Sequence, residues 1–345
     1  MMDLFQEKRI APMLIAENVP SFADPEWLYE LKWDGERCVV YLDPREGTEL
    51  RNKRNMKMLP KVPELSNLHR QVKKRCILDG ELLCIVNGKP DFETIQRRSL
   101  MSNLFKIEME SRRFPACFVA FDCLYYDGRD ITKIPLTERK KYLDRIAESE
   151  RLAVSKVFDY HQAERLFSLA REQGLEGMVA KRKESLYFQG KRTKDWLKIK
   201  NLQDDDFVVC GWIPKQNHMT SIVLGQYRQG RLVYKGHVTL GVGGEAFAAI
   251  KKQKAISHPP MEVPEGHENE NARWLKPELV CVVQYMYKTE KGSMRQPVFK
   301  GLRRDKRAED CVESDGTPLI PFLSGKLPDG SHGRSPDPGR KGLDP

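Results

Sequence analysis

The 345-residue chain is 40% hydrophobic and 31% charged, and its formal net charge of +10 gives a pI near 9.1. This length predicts two domains, each with its own core, and the positive charge favours a polyanionic partner, nucleic acid first. No apolar run approaches the ~18 residues of a membrane span, which excludes a transmembrane helix. The eight cysteines include no Cys-x-x-Cys pair, so we expect reduced, buried thiols without zinc or disulfides in a cytoplasmic protein.

The first distinctive segment is residues 30–37, Glu-Leu-Lys-Trp-Asp-Gly-Glu-Arg. Short β-type runs flank it, so Lys32 is predicted to lie between two strands. A lysine amine attacks only when neutral, and nearby cations or desolvation favour the neutral form. The same cations would bind a phosphate, so the pattern favours a covalent lysine centre for a phosphorylated substrate. Taken alone, the motif also fits a surface lysine before an Asp-Gly turn.

Two long apolar runs follow, and each carries acidic residues near its middle. Residues 76–86 contain Asp79-Gly80-Glu81, and residues 118–126 contain Asp122. Charges inside a buried strand need partners, so we expect each strand to supply carboxylates to a site or an ion pair. Residues 51–55, before the first run, are predicted to form a polar loop.

The next segments predict two helices and two strands. One helix is expected to be capped by Thr137, with an apolar stripe that extends to residue 147, and another is expected over 163–170, ended by Gly174. Strand-like segments follow at 176–181 and 196–200. Residues two apart in a strand point to one face, so Lys198 and Lys200 are predicted to share a surface.

The last third of the chain has a different pattern. The acidic run at 204–206 is predicted to mark a domain boundary, beyond which come four β-type runs and one helical segment near 245–256. This pattern favours a small Greek-key barrel of the oligonucleotide-binding (OB) type, although other barrels fit it too. From residue 324 onward the chain is rich in Gly, Pro, Ser and charge, so this tail is predicted to be disordered.

Taken together, these motifs resemble the ATP-dependent polynucleotide ligases, and most of all the ligase module of bacterial end-joining DNA ligases. The resemblance rests on an ordered set of motifs at 32–37, 51–52, 79–81, 121–122, 176–181, 196–200 and 303–306. It implies an α+β fold, with a nucleotidyltransferase adenylation domain at 1–202, an OB-fold β-barrel at 203–312 and a disordered C-terminal tail at 313–345. In place of the glycine frequent in the second motif this chain has Lys53.

The resemblance also implies roles for individual residues around ATP. Lys32 would attack the α-phosphate and form lysyl-AMP. Glu30 would read adenine, Phe121 would stack on it, and Glu81 would accept a hydrogen bond from the ribose. The phosphate-binding residues would be Arg37, Arg51, Lys198 and Lys200, with Arg303 and Lys306 closing over the β- and γ-phosphates.

Metal and DNA contacts are implied in the same way. Glu176 would face Mg²⁺ or Mn²⁺, and Asp34 would help position the metal or the nick. Lys191 and Arg192 would contact the nick's 5′-phosphate. With only some 30 residues before Lys32, a ligase core without the large N-terminal DNA-binding domain of eukaryotic ligases is expected.

The implied function is sealing of 5′-phosphate, 3′-hydroxyl nicks in duplex DNA during repair or end joining. The expected protein is a monomer associated with the bacterial nucleoid, with Ku and a separate repair polymerase as candidate partners and no membrane. An RNA ligase or an mRNA-capping guanylyltransferase would use the same lysine chemistry, and a non-catalytic nucleic-acid-binding protein on a decayed scaffold is a further alternative.

Overall fold

The computed structural model describes residues 3–288 and 293–313, so all of the predicted tail except residue 313 lies outside the described residues. The α-helices in these ranges are α1 (Leu4–Glu7), α2 (Phe92–Leu100), α3 (Leu104–Arg113), α4 (Leu136–Lys140), α5 (Ala163–Glu172) and α6 (Glu245–Lys252). The strands up to residue 200 are β1 (Trp27–Leu31), β2 (Glu36–Asp43), β3 (Gly47–Asn52), β4 (Cys76–Val86), β5 (Lys89–Pro90), β6 (Ala116–Tyr126), β7 (Arg129–Asp130), β8 (Leu152–Val154), β9 (Gly177–Arg182) and β10 (Trp196–Lys200). The later strands are β11 (Gln203–Pro214), β12 (Met219–Arg228), β13 (Arg231–Gly241), β14 (Arg273–Trp274), β15 (Val280–Tyr285) and β16 (Val298–Arg303).

The largest sheet has the order β3-β2-β4-β6-β7, with β5 added on β4 and β8 on β6. One of its faces carries the main apolar core, with Leu78 and Phe118 fully buried. The acids predicted inside these strands have arginine partners: Asp79 binds Arg37, and Asp122 binds Arg139 at 2.8 Å with both side chains fully buried. Removal of one member of such a buried pair typically costs ~3–5 kcal/mol, because it leaves the other charge unpaired.

A second sheet, in the order β1-β9-β10, places the lysine motif. Lys32 follows β1 directly, and its backbone N–H donates to the carbonyl of Gly177 at 2.9 Å. Gly177 has φ +133°, and a Cβ there would lie 2.1 Å from the backbone oxygen of Ile199, so only glycine fits between β9 and β10. This close approach joins the Lys32, Glu176 and Lys200 segments.

The two predicted helices differ in outcome. Helix α5 and its end before Gly174, which has φ +65°, are confirmed. The helix predicted from Thr137 to residue 147 is wrong: α4 ends at Lys140, and a short 3₁₀ turn at Leu143–Arg145 follows. The N-cap is Pro135, without a side-chain bond. The side chains of Arg139 and Lys140 bind buried carboxylates on strands β6 and β1. Tertiary contacts of this kind can outweigh a local apolar stripe.

The third sheet has the order β13-β12-β11-β15-β16, and β13 also lies against β16. With its five long strands numbered along the chain, the order is 3-2-1-4-5 with strand 3 close to strand 5, which fits a partly open five-stranded Greek-key barrel. Its strands enclose Phe207, Leu224 and Val283. Sheet membership changes between Lys200 and Gln203, which supports the predicted boundary near residue 202; the division into domains stays a prediction.

One local prediction about a loop needs correction. Arg51 and Asn52 are not in a loop but end strand β3, paired with Val39 and Cys38. The acidic run at 204–206, predicted to mark a domain boundary, lies within β11 near its start and pairs with β15. Among the described residues all eight cysteines are free, and no helix there is long and apolar enough to cross a membrane.

Candidate nucleotide site

A pocket opens where the two sheets of the first 200 residues meet. Strands β1, β4, β6 and β9 each bring at least one of its side chains, and the lysine loop closes one end. The lining residues are Ile15, Glu30, Leu31, Lys32, Trp33, Arg37, Glu81, Phe121, Val179, Lys181 and Trp196. Five predicted site residues from three separate segments therefore share one cavity: Glu30, Lys32, Arg37, Glu81 and Phe121.

Lys32 lies in a cluster of opposite charges at the pocket. Its Nζ is 2.7 Å from Glu176 Oε2, and Lys200 Nζ is 3.5 Å from the other oxygen of the same carboxylate. Lys198 lies close by: burial, followed by the charges of Lys200, Arg192 and Lys32, lowers the pKa of its ammonium. The side chains of Lys32, Lys198 and Lys200 therefore place several positive charges together, and such a cluster suits a phosphate.

Glu81 also lines the pocket. Burial raises the pKa of its carboxyl to about 8, opposed by the charges of Arg37 and Lys32 and reinforced by those of Glu176 and Asp79. At neutral pH this side chain is therefore mostly a neutral acid, and it ionises just above neutrality.

Arg37 is held rather than free. Its Nε and one Nη donate to Asp79 at 2.5 and 2.6 Å, and Tyr187 donates its hydroxyl to the same carboxylate at 2.6 Å. The guanidinium also lies 4.5 Å from the ring centroid of Phe121, and Lys181 Nζ lies 4.2 Å from it. Two cations therefore lie close to the Phe121 ring.

Glu30 is buried, and its Oε1 accepts from Lys140 at 2.6 Å and lies 3.0 Å from Lys181 Nζ. Burial acts to raise the pKa of the Glu30 carboxylate, but the two ammonium groups hold this pKa below its usual value. In turn, burial lowers the pKa of Lys181 to about 8, opposed by Glu30. Sequence reasoning missed Lys140 as a site residue, and it placed Lys181 only on a strand. The signal for Lys181 was its position at the end of the Glu176-Gly177 motif.

The other predicted contacts lie around the pocket. Arg51 donates to Glu49 at 2.5 Å and to the Asn55 carbonyl, and it is outside the pocket lining. Arg192 donates to the carbonyls of Ile15 and Ala16 at the pocket rim. Lys191 is exposed beside it.

Three of the predicted site residues contact residues of the barrel and not the Lys32 cluster: Asp34, Arg303 and Lys306. Asp34 accepts from Tyr287 at 3.0 Å and lies 3.5 Å from Arg295. Arg303 and Lys306 both bind Asp206, at 2.7 and 2.8 Å. Within the described residues, these contacts of Arg303 and Lys306 are internal to the barrel, away from the Lys32 cluster.

Comparison with known families tests the overall assignment. The family described as ATP dependent DNA ligase domain matches residues 11–200, more than half of the chain, and the ATP dependent DNA ligase C terminal region matches residues 215–306. The chain belongs to the ATP-dependent DNA ligase family. This family membership confirms the predicted enzyme class and the use of ATP.

Individual relatives agree with the family. The chain is 29% identical over 320 residues to the multifunctional non-homologous end joining DNA repair protein LigD of Mycobacterium tuberculosis, covering 90% of this chain and 40% of that protein. It is 32% identical to a DNA ligase of Thermococcus fumicolans, covering 88% of this chain and 57% of that enzyme. The chain thus spans about two fifths of the length of the LigD relatives that it matches.

A solved structure extends the likeness to the fold. The structure described as mycobacterial DNA ligase D complexed with ATP and MES is 28% identical, with a TM-score of 0.51, and the match covers 89% of this chain and 99% of that one. The predicted α+β fold, with an adenylation domain followed by a β-rich OB-like domain, is confirmed.

Proposed function

We propose that this chain seals 5′-phosphate, 3′-hydroxyl nicks in duplex DNA, in bacterial end joining or repair, through lysyl-AMP. The observation that carries the proposal is the pairing of Lys32 Nζ with Glu176 at 2.7 Å, beside a pocket lined by Glu30, Arg37, Glu81 and Phe121. These side chains supply a nucleophile, cations for phosphates, and acceptors and an aromatic face for a nucleoside. The relatives named for end joining support the pathway.

The first step in this proposal joins Lys32 to AMP. The ammonium loses a proton, for which the Glu176 carboxylate is the acceptor in contact, and the neutral amine attacks the α-phosphorus of ATP. An N–P bond forms, and the bond to the pyrophosphate oxygen breaks. Lys198 and Lys200 carry the charge that would stabilise the α-phosphate in the transition state. The 5′-phosphate of the nick then takes the AMP from Lys32, and the 3′-hydroxyl attacks to release it.

The nucleoside would enter between Glu30 and Phe121. Trp33 supports this, because its indole N–H is buried at the pocket without a hydrogen-bond partner among the described residues, as expected of a donor that a ligand satisfies. Glu30 would accept from the adenine amino group in place of a lysine. Glu81 would accept from the ribose, and Arg37 would hold a phosphate oxygen.

A divalent ion is part of the proposal. In residues 3–288 and 293–313, no group of three or more His, Cys, Asp or Glu side chains is placed so that it could hold a metal ion. Glu176 and Asp34 nevertheless suit Mg²⁺ or Mn²⁺, because Mg²⁺ is usually held by one or two carboxylates together with substrate phosphates and water. Both carboxylates would first exchange their present partners. A bound ion would neutralise charge on the phosphates.

The roles of the outer residues are proposed as well. Arg51, Arg303 and Lys306 would reach phosphate oxygens only after leaving Glu49 and Asp206. Lys191 and Arg192 would contact the 5′-phosphate of the nick. Nicked duplex DNA would be the substrate at the nucleoid, with Ku and a separate polymerase as partners of a monomeric enzyme.

The test is a nick-sealing assay with labelled nucleotides. We expect covalent label on the protein from ATP but not from GTP, and sealing of a DNA nick. Covalent GMP, or sealing of RNA alone, would overturn the proposal. Because DNA binding would rest on phosphate contacts, sealing at subsaturating DNA should fall by ~10³-fold between ~50 and ~200 mM salt if six or more phosphates are bound. A flat profile would contradict this account of binding.

A further inference from the structure

Lys140 is the last residue of α4, and its ammonium contacts two residues of the nucleotide pocket at once. Its Nζ donates to Glu30 Oε1 at 2.6 Å and to the backbone carbonyl of Phe121 at 2.7 Å. The nucleoside is proposed to enter between these two residues. One ammonium therefore holds both the carboxylate that would read the base and the backbone of the residue that would stack on it.

The other ammonium on Glu30 occupies a different position. Lys181 Nζ lies 3.0 Å from Glu30 Oε1 and 4.2 Å from the ring centroid of Phe121, and its side chain lines the pocket. Lys140 instead lines a separate cavity beside the 3₁₀ turn that follows α4. Of the two lysines, Lys181 is the one that an entering base meets. Lys140 can remain on Glu30, because the Phe121 carbonyl anchors it as a second acceptor.

The neighbouring residue of α4 fixes the backbone that carries Lys140. Arg139 is fully buried, and its Nε and one Nη donate to the two oxygens of Asp122 at 2.9 and 2.8 Å. Its guanidinium also donates to two backbone carbonyls. Asp122 follows Phe121 directly on β6, so consecutive residues of α4 bind consecutive residues of β6. The fold itself therefore sets the place of the Lys140 ammonium.

The charge of Lys140 matters because Glu30 is buried. Burial disfavours the charged form of a carboxyl, so a buried carboxylate without a cation tends to take up a proton. An ionised Glu30 only accepts hydrogen bonds, and it therefore selects the amino group that adenine carries at C6. A neutral acid also donates, and it would bind the carbonyl that hypoxanthine and guanine carry at the same position. The charge state of Glu30 thus decides which purine fits.

We propose that Lys140 is a positioning residue for the base, which keeps Glu30 ionised and in place when adenine takes the position of Lys181, and which thereby gives the chain its preference for ATP over ITP. This inference rests on the proposed function, in which Glu30 reads adenine. Lys140 has no part in the attack on the α-phosphorus. Its loss should therefore affect nucleotide selection and leave the maximal rate of lysine labelling unchanged.

The experiment measures single-turnover labelling of the full chain by ATP and by ITP, each labelled at the α-phosphate. Lys140→Met removes the charge with little change in length, and Lys140→Arg keeps it. Lys141→Met is the matched control, because Lys141 is exposed and binds Glu138 at 2.6 Å. If Lys140→Met does not fold, Lys140→Gln carries the test, since it also lacks the charge but keeps a hydrogen-bond donor.

For Lys140→Met we expect the KM for ATP to rise ~10-fold or more, as loss of a hydrogen bond between charged groups would produce, while the maximal rate stays unchanged. The preference for ATP over ITP, measured as the ratio of their kcat/KM values, should fall by a similar factor. Lys140→Arg should restore both values towards those of the wild type. Lys141→Met should match the wild type in both.

An unchanged KM together with an unchanged preference would overturn the role of Lys140 and leave the proposed function intact. A lower maximal rate with the preference retained would overturn it too, since that pattern indicates general damage to the fold. Failure of Lys140→Arg to restore either value, or a wild type that labels equally well from ATP and ITP, would do the same. If the wild type takes no label from ATP, the proposed function fails and the role of Lys140 fails with it.

Discussion

The Lys32 pocket and the basic run at 303–306 have similar residue types but differ in how their charges are satisfied. In and around the pocket, cations and carboxylates from separate strands, a helix and loops converge: Lys32 and Lys200 share Glu176, and Lys140 and Lys181 share Glu30. On the barrel, Arg303 and Lys306 bind Asp206 of the same barrel. The first region already brings groups of both charges together from distant parts of the chain, whereas under the proposed function the second would need a new partner before it could act on a nucleotide.

Lys32→Arg should give the largest effect, because it removes the centre of the first region. A guanidinium stays protonated and cannot attack phosphorus, so label transfer from ATP should be abolished. Sealing of a pre-adenylated nick needs no lysine nucleophile and should continue slowly. Wild-type labelling by this variant, measured on a denaturing gel, would show that Lys32 is not the centre.

Arg303→Ala should have the next largest effect, and it tests whether the barrel run acts in the reaction with ATP. Loss of one charged donor to a transition state typically costs ~10²–10³-fold, so the rate of lysyl-AMP formation should fall by about that factor. Arg307→Ala is the matched control, because Arg307 is exposed and binds Asp310. Equal rates for the two variants would show that the basic run is only a structural ion-pair network.

Asp206→Asn tests the same basic run by weakening the carboxylate that binds Arg303 and Lys306. If Asp206 competes with phosphates for Arg303 and Lys306, its neutralisation should speed lysyl-AMP formation by a modest factor, ~2- to 10-fold for a weakened charged hydrogen bond. Asp205→Asn, which instead weakens a contact with Lys288, should leave that rate unchanged. A slower reaction in Asp206→Asn alone would mean that Asp206 orients the cations for ATP.

The same contrast explains how much the sequence could predict. Strand periodicity located β1, β2, β9 and β10 and put Lys198 and Lys200 on one face, because local spacing determines these features. The barrel was predicted from its β-type runs, but β16 was missed as a strand. Gln296 and Pro297 precede that segment and it contains Gly301, so its sequence lacks a strong β pattern. It forms a strand through its pairing with β15.

Contacts between distant parts of the chain were beyond sequence reasoning. Lys140 reaches Glu30 across 110 residues, and Tyr287 reaches Asp34 across 253. No local pattern distinguishes Lys140, the last residue of α4, from other helix lysines. The predicted pocket residues were found because each lay in a family motif. Their partners were not, since ion pairs depend on how the sheets pack.

The smallest expected effect concerns Glu81 and pH. Its pKa, raised to about 8 chiefly by burial, means that the native acid keeps a proton that the unfolded chain releases near its ordinary value of 4.5. The stability that this proton adds is present below pH 4.5 and is lost as pH rises through 8.

As pH rises through 8 the Glu81 side chain becomes a carboxylate, which accepts a stronger hydrogen bond from a ribose hydroxyl. We therefore expect the KM for ATP in lysyl-AMP formation to fall ~3- to 10-fold from pH 7 to 9. Glu81→Gln cannot ionise and retains Lys181, which also titrates near 8, so subtraction of its profile isolates Glu81. Parallel profiles for the two proteins would contradict the assignment of Glu81 to the ribose.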